Sequence, residues 1–279
     1  MIKIGDFNKL KIVRRADFGY YLDAGTGNTS DDVLLPNKSA LGKALNIDDE
    51  VEAFIYRDSK DRIIATLKRP LATVGELAYL KVVSTTKIGS FVDFGLERDI
   101  LVPFKEKLYG LQNNKFYLFY IYLDKTGRIA ATTDIDRHLE DTDKYASGDH
   151  VKGIVYGFQT NKSAMVAVDN MYRGVILKHE YFSEINPGDV LDLTVLKIYE
   201  DGKLGLTPRK SGKIERTELQ DSILEYLKAH DNFMPFNDKS SPEKIYDAFH
   251  VSKNNFKNAL GGLMKRNLIV QDENGTKLK

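Results

Sequence analysis

The sequence predicts a mainly β protein that ends in a small α+β domain. Three observations carry this expectation. A glycine turn followed by a short strand pattern occurs twice, as FGYYLDAG (18–25) and IGSFVDFG (88–95), with the turn glycines Gly19 and Gly89 about 70 residues apart. Each turn is followed by an apolar run ending in proline, VLLP (33–36) and ILVP (100–103), and then by D-x-x-x-R, Asp58 to Arg62 and Asp124 to Arg128, leading into IIATLK and IAATTD. Beyond Glu218 the apolar period changes from strand alternation to helical spacing.

In chain order, the first unit is expected over 1–69, with Pro70 marking its end, and the second over 70–144, opening with VGELAYLKVVSTTKIGSFVDF. A third, over 145–212, contains GDHVKGIVYGF, SAMVAVDN, GVILKHEY and GDVLDLTVLKIYEDGKLGLTPR. These are short β-rich runs separated by Gly, Asn and Asp turns. The third unit keeps the order of elements but has lost the glycine-aromatic turn, so it is degenerate.

The last domain is expected over 213–279. Leu219, Ile223, Leu224 and Leu227 fall on one helical face. A second helix follows Ser241 as N-cap, with Pro242 in its first turn and Glu243 at the positive end of its dipole. A third places Phe256, Leu260, Leu263 and Met264 on one face, and LIVQDENGTKLK forms strand, Asn-Gly turn and strand. Three helices and a β-hairpin make a winged helix-turn-helix.

Composition narrows the function classes. Units of about 70 residues sit near the low end of what buries a stable core, so packing against neighbours should help each one. A net charge of +1 excludes binding of polyanions through bulk charge, so any nucleic-acid surface must be a local patch. With no cysteine, disulfides and thiolate metal or redox sites are excluded. No apolar run approaches the roughly 20 residues of a membrane span, and a soluble cytoplasmic protein with no membrane partner is expected. His138, His150, His179, His230 and His250 show neither metal spacing nor a nucleophile motif, and the acid pairs Asp31-Asp32 and Asp48-Asp49 lie in polar turns. The expectation is a protein without catalytic residues, metal or cofactor.

Strand parity points to a binding face instead. In SFVDF, Val92 and Phe94 share one face and Phe91 shares the other with Asp93; in the first unit Tyr20 and Leu22 share the inner face while Tyr21 lies beside Asp23. An aspartate does not belong in a core, so Tyr21 and Phe91 should point outward, where they either stack bases or pack under a loop or neighbouring domain. Lys87 precedes the second glycine turn, and Lys60, Arg62 and Arg128 lie in turns before the last strand of their units. Aromatics interleaved with cations form the usual single-strand surface; taken singly, each cation also fits a solvated turn.

The order glycine-aromatic turn, apolar run and D-x-x-x-R-I resembles the RNA-binding domain of small-subunit ribosomal protein S-one, a five-stranded OB barrel. The resemblance implies three tandem five-stranded OB-type barrels ahead of the winged helix. It also implies an RNA-contacting set: Phe18, Tyr21, Asp58 and Arg62 in the first barrel, and Phe91, Asp124 and Arg128 in the second, where Ile88 replaces the first aromatic. In the third, Lys162 and Met165 stand where the aromatics belong, and Lys203 is the nearest counterpart of the arginine. Pro36, Pro103 and Leu177 occupy a place where that family often has histidine. The whole-chain architecture looks like the conserved virulence factor B family of bacterial RNA-binding regulators, which implies single-stranded RNA as partner and an effect on gene expression, including virulence factors in pathogens.

The winged helix offers Lys253, Asn254 and Lys257 near the start of its third helix as possible nucleic-acid contacts. Its charge is nearly balanced, with eleven basic and ten acidic residues over 213–279, and the wing DENGTK carries two acids. Two other readings stay open: a DNA-binding transcription regulator that reads through the winged helix, and a protein-binding scaffold on the ribosome or a nuclease.

Overall fold

The structure, a computed structural model, describes residues 2–181, 183–209 and 212–279, and the side chains of all of these except 212–215. It divides into two compact units, 1–208 and 209–279.

The first unit holds three closed five-stranded barrels. Barrel 1 comprises β1 (Phe7–Ala16), β2 (Gly19–Leu22), β3 (Val33–Pro36), β4 (Glu50–Arg57) and β5 (Ile63–Thr66), closed in the order β1-β2-β3-β5-β4. Barrel 2 repeats this order with β6 (Leu77–Thr86), β7 (Gly89–Val92), β8 (Ile100–Pro103), β9 (Phe116–Leu123) and β10 (Ile129–Thr132). Barrel 3 does so with β11 (His150–Phe158), β12 (Ala164–Val168), β13 (Tyr172–Ile176), β14 (Val190–Ile198) and β15 (Leu204–Thr207). The first strand of each barrel has a register shift at the same place, between Ile12 and Arg14, Val82 and Ser84, and Val155 and Gly157. An irregularity of this kind sharpens the coil of a long strand, which lets so few strands close on themselves.

Alternation sorts the side chains as the sequence predicts. Tyr20, Leu22, Val33 and Leu35 are buried in barrel 1 with Ile12, Ala53 and Ile55, while Tyr21 and Leu34 remain half-buried on the outer face. In barrel 2, Val92, Ile100 and Val102 are buried with Tyr117, Phe119 and Ile121. Phe94 is buried as well, but its ring packs against Phe54 on the outer face of β4, with centroids 6.2 Å apart. Phe94 therefore seals the junction between barrels 1 and 2. The outer face of β9 supplies the next junction, where Leu118 clusters with Ile135, Leu139, Ile154, Tyr156 and Ala167, and the Tyr79 hydroxyl donates to the Gly188 carbonyl at 2.7 Å. Small barrels that share apolar faces gain burial that each lacks alone.

The second unit comprises α1 (Gly212–Ala229), β16 (Phe233–Met234), α2 (Pro242–Phe249), α3 (Lys253–Lys265), β17 (Ile269–Asp272) and β18 (Gly275–Leu278). Ser241 and Ser252 cap α2 and α3, accepting from the Lys244 and Asn255 amides. The core takes Leu219, Ile223 and Leu227 from α1 and Phe256, Leu260 and Leu263 from α3. Two expectations need correction. Met264 is 41% exposed rather than part of this core, because Leu263 already fills the inner position at the end of α3. The hairpin is also joined by β16, giving a three-stranded sheet in the order β16-β18-β17; two residues are too short a run for alternation to reveal. Among the described residues, no helix is long and apolar enough to cross a membrane.

Candidate nucleic-acid interface

Equivalent positions follow from strand register. Tyr21 lies opposite Arg14 and Leu34, Phe91 opposite Ser84 and Leu101, and Met165 opposite Gly157 and Val175. These three side chains mark the same outer position in the three barrels, and their surroundings differ.

In barrel 1, Phe18 is 58% exposed and meets Tyr21 edge-on, with centroids 6.2 Å apart. The Arg14 guanidinium lies 3.8 Å from the Tyr21 centroid, a cation–π contact that covers one face of the ring. Sequence reasoning missed Arg14, although it is Tyr21's cross-strand neighbour. In barrel 2, Ser84 replaces that arginine, Phe91 is half-buried on the outer face, and Lys87 and Ile88 are exposed. In barrel 3, Met165 packs into the cluster shared with barrel 2, and Ala167 on the same face is buried there. Lys162 turns through a left-handed conformation at φ 64° with its side chain exposed.

The two D-x-x-x-R turns are built alike at the aspartate and differently at the arginine. Asp58 Oδ1 accepts from the Lys60 and Arg62 amides at 2.8 and 3.0 Å, and its Oδ2 accepts both the Nε and Nη2 donors of the Arg62 guanidinium at 2.9 and 2.7 Å. Asp124 accepts from the Thr126 amide and hydroxyl at 2.8 and 2.7 Å and from the Arg128 amide at 3.0 Å. Burial pushes both carboxyls up, but the hydrogen bonds outweigh it and hold them below the ordinary carboxylate value. Arg128 leaves its own turn and pairs with Asp61 of barrel 1 at 2.6 Å. Arg57, whose Nη1 donates to the Asp61 carbonyl at 2.6 Å, also lies against the neighbouring turn, since a Cβ on Gly127 would come within 3.1 Å of its Nε. The turns carrying Arg62 and Arg128 are therefore side by side, a juxtaposition that no single repeat could reveal. Lys203 in barrel 3 pairs with Asp201 at 3.4 Å.

In the second unit, Asn254 and Lys257 are exposed on α3, and the Lys253 ammonium donates to the Lys239 carbonyl at 3.4 Å. The wing is acidic. Asp272 pairs with Lys277 at 2.8 Å, and that contact, with the Asn274 and Gly275 amides, holds its carboxyl below the ordinary value. A polar cleft of about 560 Å³ beside the wing is lined by Asp238, Asp272 and Glu273 with Lys239, an unfavourable field for a polyanion.

Tandem five-stranded barrels with outward aromatics, followed by a winged helix, define a class of multidomain protein assembled from nucleic-acid-binding folds. Residues 4–68 match the S1 domain family, the ribosomal protein S-one type, and residues 221–278 match the CvfB-like winged helix domain. The chain is 32% identical to the uncharacterized protein YitL of Bacillus subtilis over 95% of this chain and 90% of that one. It is 24% identical to conserved virulence factor B of Staphylococcus epidermidis over 95% of this chain and 91% of the relative. A solved structure of a multidomain protein with nucleic acid binding domains from Streptococcus pneumoniae superposes with a TM-score of 0.53 at 27% identity, covering 99% of this chain and 98% of that one. The chain belongs to the family that includes YitL and conserved virulence factor B. Neither of the two matched domain families is an enzyme family.

Proposed function

We propose that this protein is a non-enzymatic, cytoplasmic regulator that binds single-stranded RNA across barrels 1 and 2 and thereby affects gene expression. The observation that carries this reading is the repeated outer face: Phe18 and Tyr21 in barrel 1, with Arg14 over the Tyr21 ring, and Phe91 at the equivalent place in barrel 2, together with the contact between the turns of Arg62 and Arg128. Unstacked bases have exposed π faces, and rings on a barrel surface meet them without regard to sequence. Lys60 and Lys87 are exposed and would meet phosphates, as would Arg62 and Arg128 on exchanging their carboxylate partners Asp58 and Asp61 for RNA. Lys162, Lys203 and the helix residues Lys253, Asn254 and Lys257 are secondary contacts in this reading. The match to the S1 domain family and the nucleic-acid-binding description of the pneumococcal relative support it, and the name of the staphylococcal relatives supports a link to virulence.

Fluorescence anisotropy with a labelled, unstructured RNA, duplex RNA and duplex DNA tests the proposal on the full chain. Single-stranded RNA should bind tightest, and Phe91→Ala should weaken it by roughly five- to a hundred-fold, the loss of one stacked base. Equal or tighter binding to duplex DNA would overturn it in favour of a reader built on the winged helix.

A further inference from the structure

Barrel 2 lacks the aromatic that begins the pattern in barrel 1, since Ile88 stands where Phe18 does. The backbone around the two positions is the same. Gly19 pairs with Pro36 and Gly89 with Pro103, and the residue after each proline donates its amide back across the turn. Asn37 N–H reaches the Phe18 carbonyl at 3.1 Å, and Phe104 N–H reaches the Ile88 carbonyl at 3.2 Å. Asn37 and Phe104 are therefore equivalent, and the aromatic has crossed from one side of this hydrogen bond to the other. In barrel 1 the ring is on the residue that accepts; in barrel 2 it is on the residue that donates.

Phe104 is 62% exposed and Ile88 63%, so the ring is held out of the core beside an aliphatic neighbour. The Lys107 ammonium lies over one face of the Phe104 ring, 4.6 Å from its centroid and 3.2 Å from the Ser90 hydroxyl, which leaves the other face open. Gly89, between Ile88 and Ser90, has no room for a side chain, since its Cβ would fall 2.2 Å from the Val102 carbonyl. An exposed phenylalanine with an adjacent ammonium suits a partner that has both a flat π face and a negative charge, which describes a nucleotide.

We propose that Phe104 is the second base-stacking ring of barrel 2, supplying from the loop after β8 what Phe18 supplies from the turn before β2, with Lys107 meeting the adjoining phosphate. This rests on the RNA-binding reading above and adds a residue to its face.

The chain has no tryptophan, so Phe104→Trp places a single indole at the site. With a labelled, mixed-sequence 12-nucleotide RNA and the full chain, Phe104→Ala should weaken binding by roughly five- to a hundred-fold while leaving the salt dependence unchanged. Lys107→Ala should reduce the magnitude of the log–log salt slope by about 0.7. The indole of Phe104→Trp should be quenched as RNA saturates the protein, and not by duplex RNA at the same concentration. If the wild type binds this RNA while Phe104→Ala stays within about twofold of it and the indole does not respond, the inference is overturned and the broader reading survives. A wild type that does not bind single-stranded RNA overturns both.

Discussion

Asp58 and Asp124 show how one residue in a motif can serve the turn before it serves a ligand. Each gathers backbone amides of its own turn, and both carboxyls are held below the ordinary value because hydrogen bonds outweigh the opposing effect of burial. A carboxyl whose pKa is lower folded than unfolded contributes stability that is present above its unfolded value, about 3.9. That contribution is lost as pH falls through this value toward the folded one. Urea midpoints should therefore drop from about pH 4 downward, and Asp58→Asn with Asp124→Asn should flatten that acid limb; an unchanged limb would mean that the turns are held without these charges. The D-x-x-x-R spacing was legible in the sequence because it is local. The partners of the arginines were not: Arg62 stays with Asp58, whereas Arg128 crosses to Asp61, a choice that depends on a neighbouring barrel.

At the level of elements, the repeated glycine turn is a packing requirement. A Cβ at Gly19 or Gly89 would lie 2.3 or 2.2 Å from the carbonyl oxygen of Leu35 or Val102, and Gly89 also adopts φ +154°. Backbone cannot retreat as a flexible side chain can, so Gly89→Ala should destabilise the chain by about 1–3 kcal/mol. Equilibrium urea unfolding measures this, and a loss below about 0.5 kcal/mol would show that the β7–β8 pair can spread without cost. Barrel 3 has Ser163 at the equivalent place, preceded by the left-handed Lys162, so it makes the turn by another route. This is why its glycine-aromatic signal is absent while its strand order is intact. Parity over four or five residues correctly turned Tyr20 inward and Tyr21 outward. It had no grip on β16, whose two residues pair only because α1 and the hairpin bring β18 alongside.

Across the first unit, the barrels use their outer faces unequally. Barrel 1 commits β4 to its junction through Phe54 and Tyr56, and barrel 2 commits β9 through Leu118, but barrel 3 commits the β12 face itself through Met165 and Ala167. Alternation separates inner from outer residues but is blind to which outer face another barrel covers. Three barrels sharing one strand of RNA through equivalent faces is therefore an expectation that this packing works against at barrel 3. The charge follows the same restriction. With a net charge of +1 the molecule adds no bulk attraction, Arg62 and Arg128 already hold carboxylates, and Arg14, Lys60 and Lys87 are exposed cations on barrels 1 and 2, Arg14 lying against the Tyr21 ring. Such a face neutralises about three phosphates, and each contributes about −0.7 to the slope of log affinity against log salt for a single strand. The expected slope is about −2, measured by anisotropy between about 50 and 200 mM salt. Stacking, which salt leaves largely untouched, should then carry most of the remaining affinity at the upper end of that range. A slope steeper than about −5 would require seven or more phosphates. Two barrel faces with paired arginines cannot supply that many contacts, so such a result would move the site to a longer cationic track elsewhere on the chain.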